Sequence, residues 1–156
     1  MVYYNRKISG AYANHSRNRR NDMKHEHDMI KLPESELEVM QIIWDMEKEG
    51  YSEIHAGEMF RYAPALGRLK LTTVLTLITR LIGKGYLSSR KVGRVNCYTS
   101  LVDETVYKNF ATKNFLETVY KNNASGLISA LIGGDCLSES DIDALRRYID
   151  ESEAEH

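Results

Sequence analysis

The stretch 71-LTTVLTLITRLIGK-84, followed at once by 86-YLSSRKVGRVNCYTSL-101, restricts the fold more than any other part of the chain. Placing residues at about 100° intervals from Leu71 gathers Val74, Leu75, Leu77, Ile78, Leu81 and Ile82 with it in an arc of about 160°. Thr72, Thr73, Thr76, Thr79, Arg80, Gly83 and Lys84 fill the opposite arc. The pattern predicts a helix with one core-facing side and one side of small uncharged residues joined by two cations. Threonine loses χ1 freedom in a helix and forms helices only moderately well. Four threonines on a solvent-facing side therefore need a reason other than helix stability. Gly85 closes the helix. The next residues alternate around a central glycine, which predicts a β-hairpin with strands near 86–91 and 95–100 and a basic tip at Arg90, Lys91 and Arg94.

Two helices precede this unit. In 32-LPESELEVMQIIWDM-46, Pro33 suits a helix start, acidic residues at 34, 36 and 38 favour its positive end, and Leu37, Met40, Ile43 and Trp44 form one stripe. Gly50 breaks that helix. Ser52 is a good N-cap for a second helix, 53-EIHAGEMFRY-62, with Ile54, Met59 and Phe60 facing inward. Pro64 and Gly67 end it and impose a loop. Three helices followed by a two-stranded hairpin is the order of a winged helix, a helix-turn-helix variant.

Charge is segregated along the chain, although the net charge is only -1. No Asp or Glu occurs from Met59 to Val102, a window that holds eight basic residues: Arg61, Arg68, Lys70, Arg80, Lys84, Arg90, Lys91 and Arg94. From Asp103 onward, eleven acidic residues face five basic ones. A polyanion bound through one region only fits this distribution. Double-stranded DNA is the natural candidate. Threonine can offer a hydroxyl to phosphate and a methyl to thymine, and Arg80 and Lys84 can pair with phosphate, or the arginine with guanine. Lys70 at the helix entry and the basic hairpin tip extend the same surface.

Beyond Asp103, residues 104–122 predict a helix with Tyr107, Phe110, Phe115, Leu116, Val119 and Tyr120 available for burial. The apolar segment 126-GLISALIGG-134 follows, carrying Leu127, Ile128 and Leu131. A last helix starts at 138-SESD-141 with a capping-box-like pattern, and Ile142, Leu145 and Ile149 form its stripe. Three striped segments in some fifty residues make too small a core to stand alone, and a second copy is the remedy, so residues 104–156 are expected to form a dimerisation domain. Residues 32–103 are the winged-helix domain. Residues 1–31 read as a basic, disordered extension, with Met23 and Met29 both plausible starts and 25-HEH-27 without a metal role.

The other functional classes find little support. There is no GxSxG, P-loop, HExxH or GxGxxG motif, so no catalytic residue is assigned and an enzyme is not expected. His55 is the one histidine in the folded region, where a surface or packing role is expected. Cys97 and Cys136 match no zinc spacing, and no metal or cofactor is expected. No apolar run approaches the roughly 18 residues of a membrane span, and a cytoplasmic protein is expected. A winged helix that serves only protein interaction is the alternative, and it leaves the acid-free window unexplained.

The segments 35-SELEVMQIIW-44, 72-TTVLTLITRLIGKGYLSSRKVGRVNCYTSLV-102, 115-FLETVY-120 and 137-LSESDIDALRRYIDE-151 resemble the penicillinase repressor family, the BlaI/MecI/CopY group of bacterial transcriptional regulators. The T-x-x-T-L-x-x-R-L run before a K-G-x-L strand is the most specific part. The resemblance implies a homodimeric repressor on a palindromic operator. DNA-facing positions would be Thr72, Thr73, Thr76, Thr79 and Arg80, with wing contacts from Arg90, Lys91 and Arg94. In members controlled by a membrane sensor protease, proteolysis in the C-terminal region frees the promoter, and the matching segment here is Ser129, Ala130, Leu131 and Ile132. The sequence departs from the pattern at Leu75, often Lys or Arg in the family, and in a longer connection from Tyr62 to Lys70. The Ala130-Leu131 pair also departs from it, and the CxC-type tail of copper-responsive relatives is lacking.

Overall fold

The computed structural model describes residues 29–154, so the expected extension, up to Asp28, and the 25-HEH-27 pattern lie outside the described residues. The chain divides into two compact units between Phe110 and Ala111.

The first unit has the winged-helix order: α1 (Glu34–Lys48), α2 (Ala56–Tyr62), a 3-10 turn (Pro64–Arg68), α3 (Leu71–Gly83), β1 (Leu87–Val92) and β2 (Val95–Ser100). The core is built from α1 and α3. Val39, Met40, Ile43, Trp44 and Met46 on α1 and Val74, Leu77, Ile78 and Leu81 on α3 are buried, and Met59 of α2 and Leu66 of the 3-10 turn join them. Leu66 explains the long connection between α2 and α3. The extra residues form a turn that buries a leucine, where the sequence predicted a plain loop.

The second helix starts later than expected. Ile54 is drawn into an isolated bridge beside the hairpin, its carbonyl accepting from the Tyr98 N–H at 2.7 Å. Residues 53–55 are thereby held out of the helix. The cap is His55 instead of Ser52: its Nδ1 accepts from the Glu58 N–H at 3.4 Å. The histidine that had no evident partner in the sequence has a structural one.

β1 and β2 pair antiparallel, with Arg90 opposite Cys97 and Val92 opposite Val95, so Gly93 and Arg94 form a two-residue loop. Gly93 has φ +60°, the conformation such a loop requires at its first position. The far end of the hairpin is anchored to α1. The Glu47 carboxylate accepts from both the N–H and the hydroxyl of Ser100, at 2.8 and 2.5 Å. The Trp44 indole N–H donates to the Val102 carbonyl at 2.8 Å.

Helix α4 (Glu104–Tyr120) begins in the first unit and continues into the second. Tyr107, expected at the dimerisation surface, is buried in the first unit. Its hydroxyl accepts from the Leu32 N–H at 3.1 Å, and its ring lies 5.7 Å from Trp44 and 5.9 Å from Tyr86. An aromatic ring with a satisfied hydroxyl suits an enclosed site. Phe110, half-buried, lies against Tyr107 with ring centroids 6.1 Å apart. Burial pushes the Tyr86 phenol up to about 12, and Tyr107 beside it adds to the shift; the phenol donates to the Ile30 carbonyl at 2.7 Å. The folded domain therefore takes in Ile30, inside the segment expected to be an extension.

In the second unit, the latter half of α4 is followed by α5 (Ala124–Gly133) and α6 (Glu139–Ala154). Asn123 caps α5 through its side-chain oxygen, which accepts from the Gly126 N–H at 2.9 Å. The capping box at the start of α6 forms as the sequence predicts. The Ser138 N–H donates to the Asp141 carboxylate at 2.9 Å, and the Asp141 N–H donates to the Ser138 hydroxyl at 3.3 Å.

Glu36, at 2% exposure, is the one buried charged residue among those described, and Lys84 pairs with it. A buried carboxylate without a partner is costly, whereas replacing both members of a pair with apolar groups can be neutral. Lys84→Met alone is expected to lower unfolding free energy by about 2–3 kcal/mol in urea denaturation. The double variant Glu36→Met/Lys84→Met should return to within about 1 kcal/mol of the parent. A double variant as unstable as the single one would show that the pair does not set the cost.

Candidate nucleic-acid interface

Helix α3 presents the face that the sequence predicts, with its edges redrawn. Val74, Leu77, Ile78 and Leu81 are buried, and Thr72, Thr73, Thr76, Thr79 and Arg80 are exposed. Leu71 and Leu75, placed with the core by their angle on the helical wheel, are 51% and 37% exposed. The core takes a narrower stripe than the apolar arc offers: its side from Leu77 to Ile78 is buried, and its other edge, at Leu71 and Leu75, is left exposed. In angular order the exposed arc runs Leu71, Leu75, Thr79, Thr72, Thr76, Arg80, Thr73. It is apolar at one edge, small in the middle and cationic at the other.

The threonines fall into two pairs. The Thr76 hydroxyl donates to the Thr72 carbonyl and the Thr79 hydroxyl to the Leu75 carbonyl, both at 2.8 Å. A hydroxyl whose proton is held by the helix cannot donate it to phosphate, which only accepts. Thr76 and Thr79 therefore offer a partner a methyl group and acceptor lone pairs. Thr72 and Thr73, in the first turn, make no side-chain hydrogen bond among the described residues and keep their protons available.

The acid-free window is not free of acids in space. Arg61 pairs with Glu58, Arg68 with Glu38 and Lys84 with Glu36, each carboxylate lying upstream of the window. Lys84, expected among the DNA contacts, is thus engaged with a buried carboxylate, its side chain 27% exposed. The remaining five, Lys70, Arg80, Arg90, Lys91 and Arg94, are exposed and form no ion pair among the described residues. Lys70 is the N-cap residue of α3, Arg80 lies in its last turns, Arg90 and Lys91 are on β1, and Arg94 is in the hairpin loop. Unpaired cations thus stand at both ends of α3 and at the tip of the hairpin. An anionic rod such as duplex DNA is the partner such a distribution can serve.

Among the described residues, no group of His, Cys, Asp and Glu could hold a metal ion. No helix among them is long and apolar enough to cross a membrane. Cys97 is buried and Cys136 is exposed, both as free thiols.

The apolar residues of the second unit lie differently from those of the first. None of its described residues is buried. Phe115, Val119, Ile128, Leu145 and Ile149 are exposed, and Leu116, Tyr120, Leu127, Leu131 and Ile142 are half-buried. Ser129, Ala130, Leu131 and Ile132 fall within α5, in helical conformation.

If the threonine face were there for stability, removing its hydroxyls would cost stability. Thr76→Ala and Thr79→Ala are instead expected to raise unfolding free energy by about 0.5 kcal/mol each, because alanine is the better helix former and no tertiary contact is lost. Thermal denaturation of the two variants checks this, and a loss above about 1 kcal/mol would give these side chains a structural role.

The family model described as "Penicillinase repressor" matches residues 32–151. The chain is 31% identical to the penicillinase repressor of Bacillus licheniformis over 126 residues, covering 79% of this chain and 94% of that protein. It is 33% identical over 119 residues to the methicillin resistance regulatory protein MecI of Staphylococcus aureus, covering 76% of this chain and 93% of that one. Among solved structures it is similar to the solution structure of the DNA binding domain of the repressor BlaI, with 35% identity and a TM-score of 0.41, covering 49% of this chain and 88% of that one. With a family model matched across both units, the chain belongs to the penicillinase repressor family.

Proposed function

We propose that the chain is a transcriptional repressor that acts as a homodimer and occupies a palindromic operator through two winged helices. The observation that carries this reading is the pairing state of the basic residues. Of the eight in the acid-free window, the five left without carboxylate partners among the described residues lie on α3 and the hairpin. In this reading α3 lies in the major groove with Thr72, Thr73, Thr76, Thr79 and Arg80 toward the bases and phosphates. Lys70, Arg90, Lys91 and Arg94 bind the flanking backbone. The relatives named as a penicillinase repressor and a methicillin resistance regulator support the same role.

Dimerisation rests on the second unit. An array of exposed apolar side chains with no buried residue among them cannot repay its own ordering entropy, whereas a second copy can cover it. The pairing surface is drawn from Phe115, Leu116, Val119 and Tyr120 on α4, Leu127, Ile128 and Leu131 on α5, and Ile142, Leu145 and Ile149 on α6. Such an interface is two-fold, and it spaces two α3 helices for a palindrome. Control by a membrane sensor protease is the inducing route that this organisation suits. Cleavage within Ser129–Ile132 would cut α5 in the middle and detach α6, removing the surface that holds the dimer. No cofactor has a role, and the protein works in the cytoplasm, where the operator is.

Fluorescence anisotropy on duplex DNA from upstream of the chain's own gene tests the reading. Arg80→Ala should weaken operator binding by about 1–3 kcal/mol if the arginine reads a base. Arg90→Gln should reduce the slope of log K against log salt by about two for a dimer, since each protomer loses one phosphate contact. Arg61→Gln, in a residue already paired with Glu58, should leave the slope unchanged. Equal binding to scrambled DNA by the parent protein would reduce it to a nonspecific binder. No binding at all would favour a winged helix used only for protein interaction.

A further inference from the structure

The exposed arc of α3 is richer in methyl groups than in hydrogen-bond donors. Leu75, 37% exposed, stands between Leu71 and Thr79 at successive four-residue steps, so the three side chains form one ridge along the helix. The Thr79 hydroxyl donates to the carbonyl of Leu75 itself, and the Thr76 hydroxyl to that of Thr72. Two of the four threonines have therefore lost their donors to the helix. The leucine edge also borders a concavity. Leu71 and Leu75 line an open apolar concavity of about 420 Å³ with Phe60, Val95 and Tyr98. A leucine at this groove mouth, with Lys70 at the entry of the helix and Arg80 at the opposite edge of the arc, presents a polyanion with an apolar group that does not attract phosphate.

We propose that Leu75, with Leu71 and Thr79 beside it, determines sequence specificity by contacting the C5-methyl groups of thymines in the major groove. This rests on the reading of the chain as a DNA-binding repressor. Thymine is the one base that presents an apolar group on the major-groove edge, and apolar side chains are its complement. Cytosine offers a bare C5–H there, and each purine a hydrogen-bonding edge that Leu75 cannot satisfy. Arg80 and Thr73, at the far edge of the arc, are left to the hydrogen-bonding positions. The operator half-site should therefore hold thymines beneath the leucine edge and a guanine or a phosphate beneath the arginine.

Deoxyuridine differs from thymidine by that one methyl and leaves base pairing intact, which makes it the direct probe. Anisotropy titrations of the full chain would use duplexes from upstream of its own gene, with thymine or with uracil throughout. Removing one contacted methyl should weaken binding about fourfold. Complete replacement should weaken it at least about tenfold, if two or more methyls are contacted. Leu75→Gln, which keeps a good helix former at a solvent-facing position, should lose the larger part of the difference between the two duplexes. Equal binding of both duplexes by the parent protein, each above a scrambled control, would overturn the methyl contact and leave the repressor reading intact. A thymine preference undiminished in Leu75→Gln would also overturn it, since the preference would then not depend on the leucine. Binding no tighter than to scrambled DNA would overturn both readings at once.

Discussion

The Glu36 carboxylate is almost entirely enclosed, and it is tolerable there because the Lys84 ammonium reaches it from the far end of the helix–turn segment. The pair joins the first turn of α1 to the residue that caps α3. With Val74, Leu77, Ile78 and Leu81 packed on α1, it leaves α3 little freedom to rotate about its axis. Everything proposed for the exposed arc depends on that fixed rotation, because a turn of about 100° would exchange one set of side chains for the next. The wing is held to the same helix by Glu47 on Ser100 and Trp44 on Val102. Helix α1 carries no proposed contact residue, yet it sets the orientation of both the helix and the hairpin.

Electrostatics divide the basic residues by task. Arg61, Arg68 and Lys84 serve the fold, each bound to a carboxylate from α1 or α2, and five others are left over on α3 and the hairpin. Arg61 and Arg68 make exposed pairs that add little stability. The α3 face is then defined as much by what has been removed from it, negative charge and hydroxyl protons, as by what it offers.

Much of this was legible in the sequence, since the α3 stripe, the hairpin with its glycine turn and the capping box at Ser138 are local patterns. What was not legible required knowing which segments meet. A helical wheel places Leu71 and Leu75 beside Ile78 and Ile82 because angle alone cannot tell how wide a stripe α1 will cover. Lys84 reads as one more cation on a basic face until Glu36, 48 positions away, is found buried beside it. Tyr107 follows the α4 stripe into the second unit by spacing, and only Trp44, Tyr86 and the Leu32 amide show that it belongs to the first. Ser52 is a sound cap by chemistry, but the bridge of Ile54 to Tyr98 moves the helix start to His55. The two-pair division of the threonines has a sequence signal that could have found it. Thr76 and Thr79 each have a carbonyl four residues back within an established helix, whereas Thr72 and Thr73 sit too near its start.

The central claim is that one face of α3 and the hairpin tip together meet duplex DNA. Chemical-shift mapping of the isotope-labelled full chain on titration with its upstream duplex tests it most directly. The account predicts that the largest changes fall on the methyl groups of Leu75, Thr76 and Thr79, the amides of Thr72 and Thr73, and the hairpin loop around Gly93 and Arg94, with the α6 signals little moved. Changes concentrated elsewhere, with α3 and the hairpin unmoved at saturating DNA, would contradict it.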